Sequence, residues 1–131
     1  ASTITDNEGA STIFGGGLVT YQTQHKIDAG VPAEVIEQFG VVSAETARAM
    51  AEAVRQRFHT GYGVGITGYL GATAAEGVQP GTVHVAVATP SGAVDSLMSQ
   101  MPQARAQAKR RAVTTAFLLV RRVILAEAAA R

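Results

Sequence analysis

A tyrosine and a lysine follow a glycine-rich run near the start of the chain, and both side chains can move protons. The run Gly15–Tyr21 holds three glycines and then Leu-Val-Thr-Tyr, which is typical of a β-strand. Lys26 lies in the helical pattern that begins at Gln22. A tyrosine at a strand end and a lysine in the next helix can face one cleft, where a partly desolvated lysine acts as a base toward a hydroxyl. The spacing alone favours the simpler alternative, in which Tyr21 packs and Lys26 is solvated.

A second polar position ends a later predicted strand. Thr67 and Gly68 close that strand, and Gly71 follows in the loop. Exposed backbone N–H groups and the Thr67 hydroxyl could hold a phosphate or a carboxyl group there. Taken alone, the glycines favour a turn selected for its backbone geometry.

The histidines and a further glycine pattern offer weaker chemistry. His25, His59 and His84 do not have the spacing of metal ligands. The segment Gly63–Gly68, GVGITG, matches the dinucleotide pattern G-x-G-x-x-G, but it lies within a predicted strand and the next element is another strand. Cysteine is absent, which excludes disulfides and thiolate catalysis. These residues predict no metal site and no nicotinamide-dependent dehydrogenase.

Length, composition and charge indicate one soluble domain spanning residues 1–131. The chain is 47% hydrophobic and 16% charged, as in ordinary globular proteins. Its most apolar stretch, residues 112–130, is interrupted by Arg121 and Arg122, so we expect no membrane span and a cytoplasmic location. Net charge is −5 over the first hundred residues and +6 over the remainder. A basic C-terminal helix could contact nucleic acid or an anionic ligand, although a solvated helix face is the favoured interpretation.

The hydrophobic pattern predicts a layered α/β/α sandwich with a mixed sheet. Glycines and a proline separate the helices, and valines alternate along the clearest strand. The predicted strands are Leu18–Tyr21, Tyr62–Thr67, Thr82–Thr89 and Ala93–Met98. The predicted helices are residues 22–29, Pro32–Phe39, Ala44–Thr60 and Pro102–Ala130.

A collinear set of short segments resembles the CinA C-terminal domain family. Gly16–Tyr21 followed by Lys26 resembles its G-G-[VL]-V-[TS]-Y-x4-K signature. Other segments follow in the family's order and extend the resemblance over nearly the whole chain. They are Ile4-Thr5-Asp6, Gly9-Ala10-Ser11, Gly30-Val31-Pro32, Gly40–Ser43, Thr67-Gly68, Pro80–Val83, and the helix with Arg105 and Lys109.

The resemblance implies hydrolysis of the carboxamide of nicotinamide mononucleotide (NMN), giving nicotinate mononucleotide and ammonia. It implies a serine nucleophile, no metal or redox cofactor, and a homo-oligomer. By position, the catalytic residues are Tyr21 and Lys26. The substrate-binding residues by position are Gly16, Gly17, Thr67, Gly68 and Lys109.

Two departures from the family pattern bear on activity. The family's first strand and its S-x-T-G-G turn, which carries the serine, would fall before residue 1, so part of the sheet should be unpaired. The loop after Thr67-Gly68 also lacks the family's Gly-Pro. We therefore expect impaired or absent NMN hydrolysis by these residues, because a base without its nucleophile cannot form an acyl intermediate. The alternatives are a non-catalytic nucleotide-binding or oligomeric scaffold and, below it, nucleic-acid contact through Arg105–Arg122.

Overall fold

The computed structural model describes residues 1–92, 94–101 and 104–131, and these residues form three layers with a sheet in the middle. The predicted α/β/α sandwich is confirmed. The strands are β1 (Gly63–Tyr69), β2 (Thr82–Ala88) and β3 (Val94–Gln100). The helices are α1 (Ser2–Thr5), α2 (Thr23–Asp28), α3 (Ala33–Phe39), α4 (Ala44–Arg57) and α5 (Arg105–Ala129), with a 3-10 turn at Ala10–Thr12.

The sheet has the order β1-β2-β3, and both pairings are antiparallel. In this respect it differs from the mixed sheet of the sequence prediction. Each of the three strands follows its neighbour through a loop or turn, and consecutive strands joined in this way run in opposite directions. The third strand extends to Gln100, two residues beyond the predicted end, and Ala93 lies outside the described residues.

Helix α4 covers one face of the sheet. The Ser43 hydroxyl caps it by accepting a hydrogen bond from the Thr46 N–H at 3.1 Å. Its buried residues Ala47 and Ala51 have almost no side chain, so the helix axis lies close to β1 and β2. That closeness explains the predicted glycine pattern, because a Cβ at Gly63 or Gly65 would collide with the α4 backbone.

Helix α5 covers the other face and forms the larger core. Three alternating valines of β2 pack beneath it with Met101. The α5 residues in this core are Ala108, Ala116, Leu119 and Val123. The helix begins at Arg105 in the described residues, whereas the sequence predicted a start at Pro102; Pro102 and Gln103 themselves lie outside them.

A carboxylate near the end of α5 connects three parts of the fold. The Tyr62 hydroxyl, just before β1, donates to Glu127 Oε2 at 3.1 Å. The Ser91 hydroxyl, in the β2–β3 turn, donates to Glu127 Oε1 at 2.7 Å. The Ser91 bond is the first cause of the lowered pKa of Glu127. We call this arrangement the C-terminal clasp.

The predicted strand Leu18–Tyr21 is wrong. The segment 14–21 runs without turn, bend or strand pairing. A strand needs a neighbouring ladder, and within the described residues Gly15–Tyr21 makes no backbone–backbone hydrogen bond. β1 pairs only with β2, so its outer edge has no strand partner in the described part of the chain.

None of the helices in the described residues is both long enough and apolar enough to cross a membrane.

Candidate functional site

Lys26 is a buried amine at one side of a surface cleft. It lies in α2, which has Gln22 as its N-cap residue, and only 6% of the residue is exposed. Its Nζ donates a hydrogen bond to the Thr20 carbonyl at 2.5 Å and a longer one to the Tyr21 carbonyl at 3.5 Å. The amine thus connects α2 to the preceding segment and is not solvated, in contrast to the simpler sequence interpretation.

Burial lowers the pKa of the Lys26 amine. Desolvation disfavours the ammonium form, and no carboxylate of the described residues forms an ion pair with it. A lysine with a lowered pKa can accept a proton from a hydroxyl or from water at lower pH than a solvated lysine can.

The cleft beside Lys26 is mostly apolar. Its lining includes Leu18 and Thr20 of the segment before α2, Met50 and Val54 of α4, and Val64 of β1. These apolar residues were predicted for the core or for strands and not for a site. Val64 lies on a predicted strand, but its place in the cleft depends on tertiary packing, as does that of the other lining residues.

Tyr21 contributes its backbone to this site and not its phenol. The residue is 85% exposed, and its recorded contact with Lys26 is made by the carbonyl oxygen. The structure therefore brings the Lys26 amine to the cleft without the Tyr21 hydroxyl.

Of the glycines Gly16 and Gly17, which precede Leu18–Tyr21, the first allows the chain to pass beside Phe58. Gly16 has φ +151°, and a Cβ there would stand 2.9 Å from two ring atoms of Phe58. Gly17 is open, with Phe14 Cζ at 3.8 Å as the nearest atom to an added Cβ. Gly16 therefore serves close packing, and Gly17 borders solvent.

Thr67, Gly68 and Lys109 lie outside the cleft lining. The Thr67 hydroxyl donates to the Val41 carbonyl at 2.8 Å, and the residue is 6% exposed. A Cβ at Gly68 would stand 2.9 Å from a Val83 methyl group. Lys109 is exposed on α5. The predicted site residues are thus distributed over three places, and Lys26 alone among them lines the cleft.

His84 is a titratable residue that the sequence did not single out as functional. Its Nδ1 is buried and has no hydrogen-bond partner among the described residues. Burial lowers its pKa, while the charges of Glu45 and Arg48 on α4 act in opposite directions. The alternation along β2 places His84 on the face toward α4 but gives no information about its hydrogen bonds.

No cluster of three histidine or carboxylate side chains that could hold a metal ion occurs within residues 1–92, 94–101 and 104–131.

The chain is similar to known proteins over most of its length. The model of the CinA C-terminal domain matches residues 1–124. A CinA-like protein of Gemmatimonas aurantiaca is 43% identical over 122 residues, which are 92% of this chain and 28% of that protein. A CinA-like protein of Frankia casuarinae is 39% identical over 125 residues, covering 95% of this chain and 29% of that protein.

Solved structures agree with the fold. The crystal structure of a competence or damage-inducible protein from Enterobacter asburiae superposes with a TM-score of 0.85 at 23% identity. That match covers 91% of this chain and 76% of the other. The chain spans about 30% of the length of the curated relatives that it matches. From the family match and these relatives, the chain belongs to the CinA C-terminal domain family.

Proposed function

We propose that this chain binds NMN in the cleft beside Lys26 and that its described residues do not hydrolyse it. Two features support binding: membership of the CinA C-terminal domain family and a buried amine in an apolar cleft. The apolar lining suits the planar nicotinamide ring, and Lys26 suits the carboxamide. The single observation that carries the proposal is the burial of Lys26, which is 6% exposed and lines this cleft.

Hydrolysis of the amide requires a nucleophile as well as a base. In the implied reaction a serine oxygen bonds to the carboxamide carbon, a base takes the serine proton, and that proton leaves with ammonia before water releases the acid. Among the described residues that line the cleft, Thr20 alone carries a hydroxyl group. Its hydrogen bond with Lys26 is made by its backbone carbonyl, which accepts from the amine. We therefore infer that the cleft holds a base, Lys26, but no hydroxyl positioned to act as the nucleophile.

The test combines NMN binding with ammonia release. The chain contains two lysines, so Lys26→Ala has a natural matched control in Lys109→Ala. We expect saturable NMN binding by titration calorimetry, abolished in Lys26→Ala and retained in Lys109→Ala. We expect no ammonia above the blank in a coupled assay for any of the three proteins.

The outcomes separate the parts of the proposal. Ammonia release that Lys26→Ala abolishes would show an active amidohydrolase and contradict the inferred lack of turnover. If the folded protein did not bind NMN, the proposal that NMN is its ligand would be wrong. Loss of binding in Lys109→Ala but not in Lys26→Ala would place the ligand on α5.

A further inference from the structure

Two backbone carbonyls hold the Lys26 amine. Its Nζ donates to the Thr20 carbonyl at 2.5 Å and to the Tyr21 carbonyl at 3.5 Å. No carboxylate of the described residues forms an ion pair with it. The neighbouring ionisable groups on α2, His25 and Asp28, contact each other at 3.6 Å instead. The charge of this buried lysine is therefore stabilised by carbonyl dipoles and lacks an opposite charge in the described part of the chain.

The protonation state of Lys26 determines what the amine can offer a ligand. An ammonium group has three N–H donors, and the two carbonyls accept two of them. The third donor is available to a ligand in the cleft, which Lys26 and Thr20 both line. A neutral amine would use both of its N–H groups on the carbonyls and would offer a lone pair. The ammonium form thus presents a charged donor, and the neutral form presents an acceptor.

The rest of the cleft lining favours an anionic partner for this donor. Apart from Lys26, the described lining residues carry no titratable group, and all except Thr20 are apolar. The Tyr21 side chain is 85% exposed and is not part of the lining. In apolar surroundings a charge-assisted hydrogen bond is stronger than a neutral one. A carboxylate in the cleft would also favour the ammonium form, because a nearby opposite charge raises the pKa of an amine.

We propose that Lys26 makes the cleft selective for a planar ring that bears a carboxylate over the same ring bearing a carboxamide. This inference rests on the proposed function, and it makes nicotinate mononucleotide the preferred ligand and NMN the weaker one. The carboxylate accepts the third N–H of Lys26 as an ion pair, whereas the carboxamide oxygen accepts it as a neutral group. Both nucleotides carry the same ribose and phosphate, so their difference in affinity reports on this contact. A chain with this preference retains the acid form of the nucleotide.

The experiment compares calorimetric titrations of the protein with the two nucleotides at about pH 7, well below the ordinary lysine pKa. We expect nicotinate mononucleotide to bind at least about tenfold more tightly than NMN, because hydrogen bonds between charged groups exceed neutral ones. Lys26→Gln keeps a polar group without the charge and should bind both nucleotides equally. The matched control is Arg57→Gln, which removes one positive charge from an exposed position of α4 outside the cleft lining and should retain the preference.

The pH dependence of the wild type supplies a readout that needs no variant. The preference should decrease as pH rises from about 7 to about 10.4, because the deprotonated amine has neither the charge nor the third donor. Burial lowers the pKa of Lys26, so the decrease should begin at lower pH than for a solvated lysine. A preference that is unchanged over this range, or unchanged in Lys26→Gln, would overturn the inference.

The remaining outcomes separate this inference from the proposed function. If NMN binds as tightly as nicotinate mononucleotide or more tightly, the selectivity is wrong and the proposed binding of NMN stands. If nicotinate mononucleotide alone binds, the selectivity is supported and NMN is not the ligand. If the folded protein binds neither nucleotide, both proposals are wrong.

Discussion

Replacing Gly65 with alanine tests the closeness of α4 to the sheet. The added Cβ would stand 2.7 Å from the Ala51 nitrogen and 2.9 Å from Met50 Cβ, and closer still to the Ala47 carbonyl oxygen. Two of these three neighbours are backbone atoms, so the conflict is relieved only if the helix moves away from β1. Overpacking of this kind costs about 3 kcal/mol of unfolding free energy. For a domain of this size that lowers Tm by roughly 10 °C.

The control is Gly17→Ala, because both variants add one methyl group to a glycine. An added Cβ at Gly17 meets nothing closer than 3.8 Å, and its φ lies outside the left-handed region. We expect a change within about 0.5 kcal/mol or a small gain, since alanine restricts the unfolded chain. Urea unfolding followed by the helical circular dichroism signal measures both variants.

The sign of the change in unfolding free energy caused by Gly65→Ala decides whether the α4 backbone lies against β1. In a strand without a close neighbour, alanine is favoured over glycine by roughly 0.5–1 kcal/mol. A Gly65→Ala protein as stable as the wild type, or more stable, would therefore show that α4 does not contact β1 through its backbone.

Two further predictions concern α4 and β2. Ser43→Ala should cost about 1 kcal/mol in urea unfolding, because the cap on the Thr46 N–H is lost; Ser43→Thr keeps a hydroxyl and should restore most of it. His84 has a lowered pKa in the folded state, so the unfolded chain binds a proton more readily below the ordinary histidine value of about 6.5. Stability should therefore fall as pH decreases from about 6.5 toward that lower pKa. Thermal melts of His84→Gln should lack this decrease, and an unchanged pH profile in that variant would contradict it.

Local patterns predicted the elements that carry their own periodicity. The stripe containing Ala47 and Ala51 specified α4, and alternating valines specified β2. Leu18–Tyr21 has the composition of a strand, but pairing depends on a neighbour that composition cannot supply. The same limit explains the glycines of β1, whose role follows from the approach of α4.

The candidate site was predicted only in part, for a related reason. Spacing placed Lys26 one turn into a helix, but the cleft that it lines also includes Met50, Val54 and Val64, which are distant in sequence. Thr67 was assigned to a ligand, whereas its hydroxyl bonds to the carbonyl of Val41, 26 residues away. Contacts between remote segments decide whether a polar side chain is available to a ligand.

The C-terminal clasp has a consequence for where such a domain can be shortened. The family match ends at residue 124, which retains every buried residue of α5, the last being Val123. Glu127 lies just beyond that boundary. A chain cut at residue 124 would keep its apolar packing but would lose the acceptor shared by Tyr62 and Ser91. The start of β1 and the β2–β3 turn would then lose these hydrogen bonds to α5, so a boundary drawn from similarity alone removes contacts that belong to this domain.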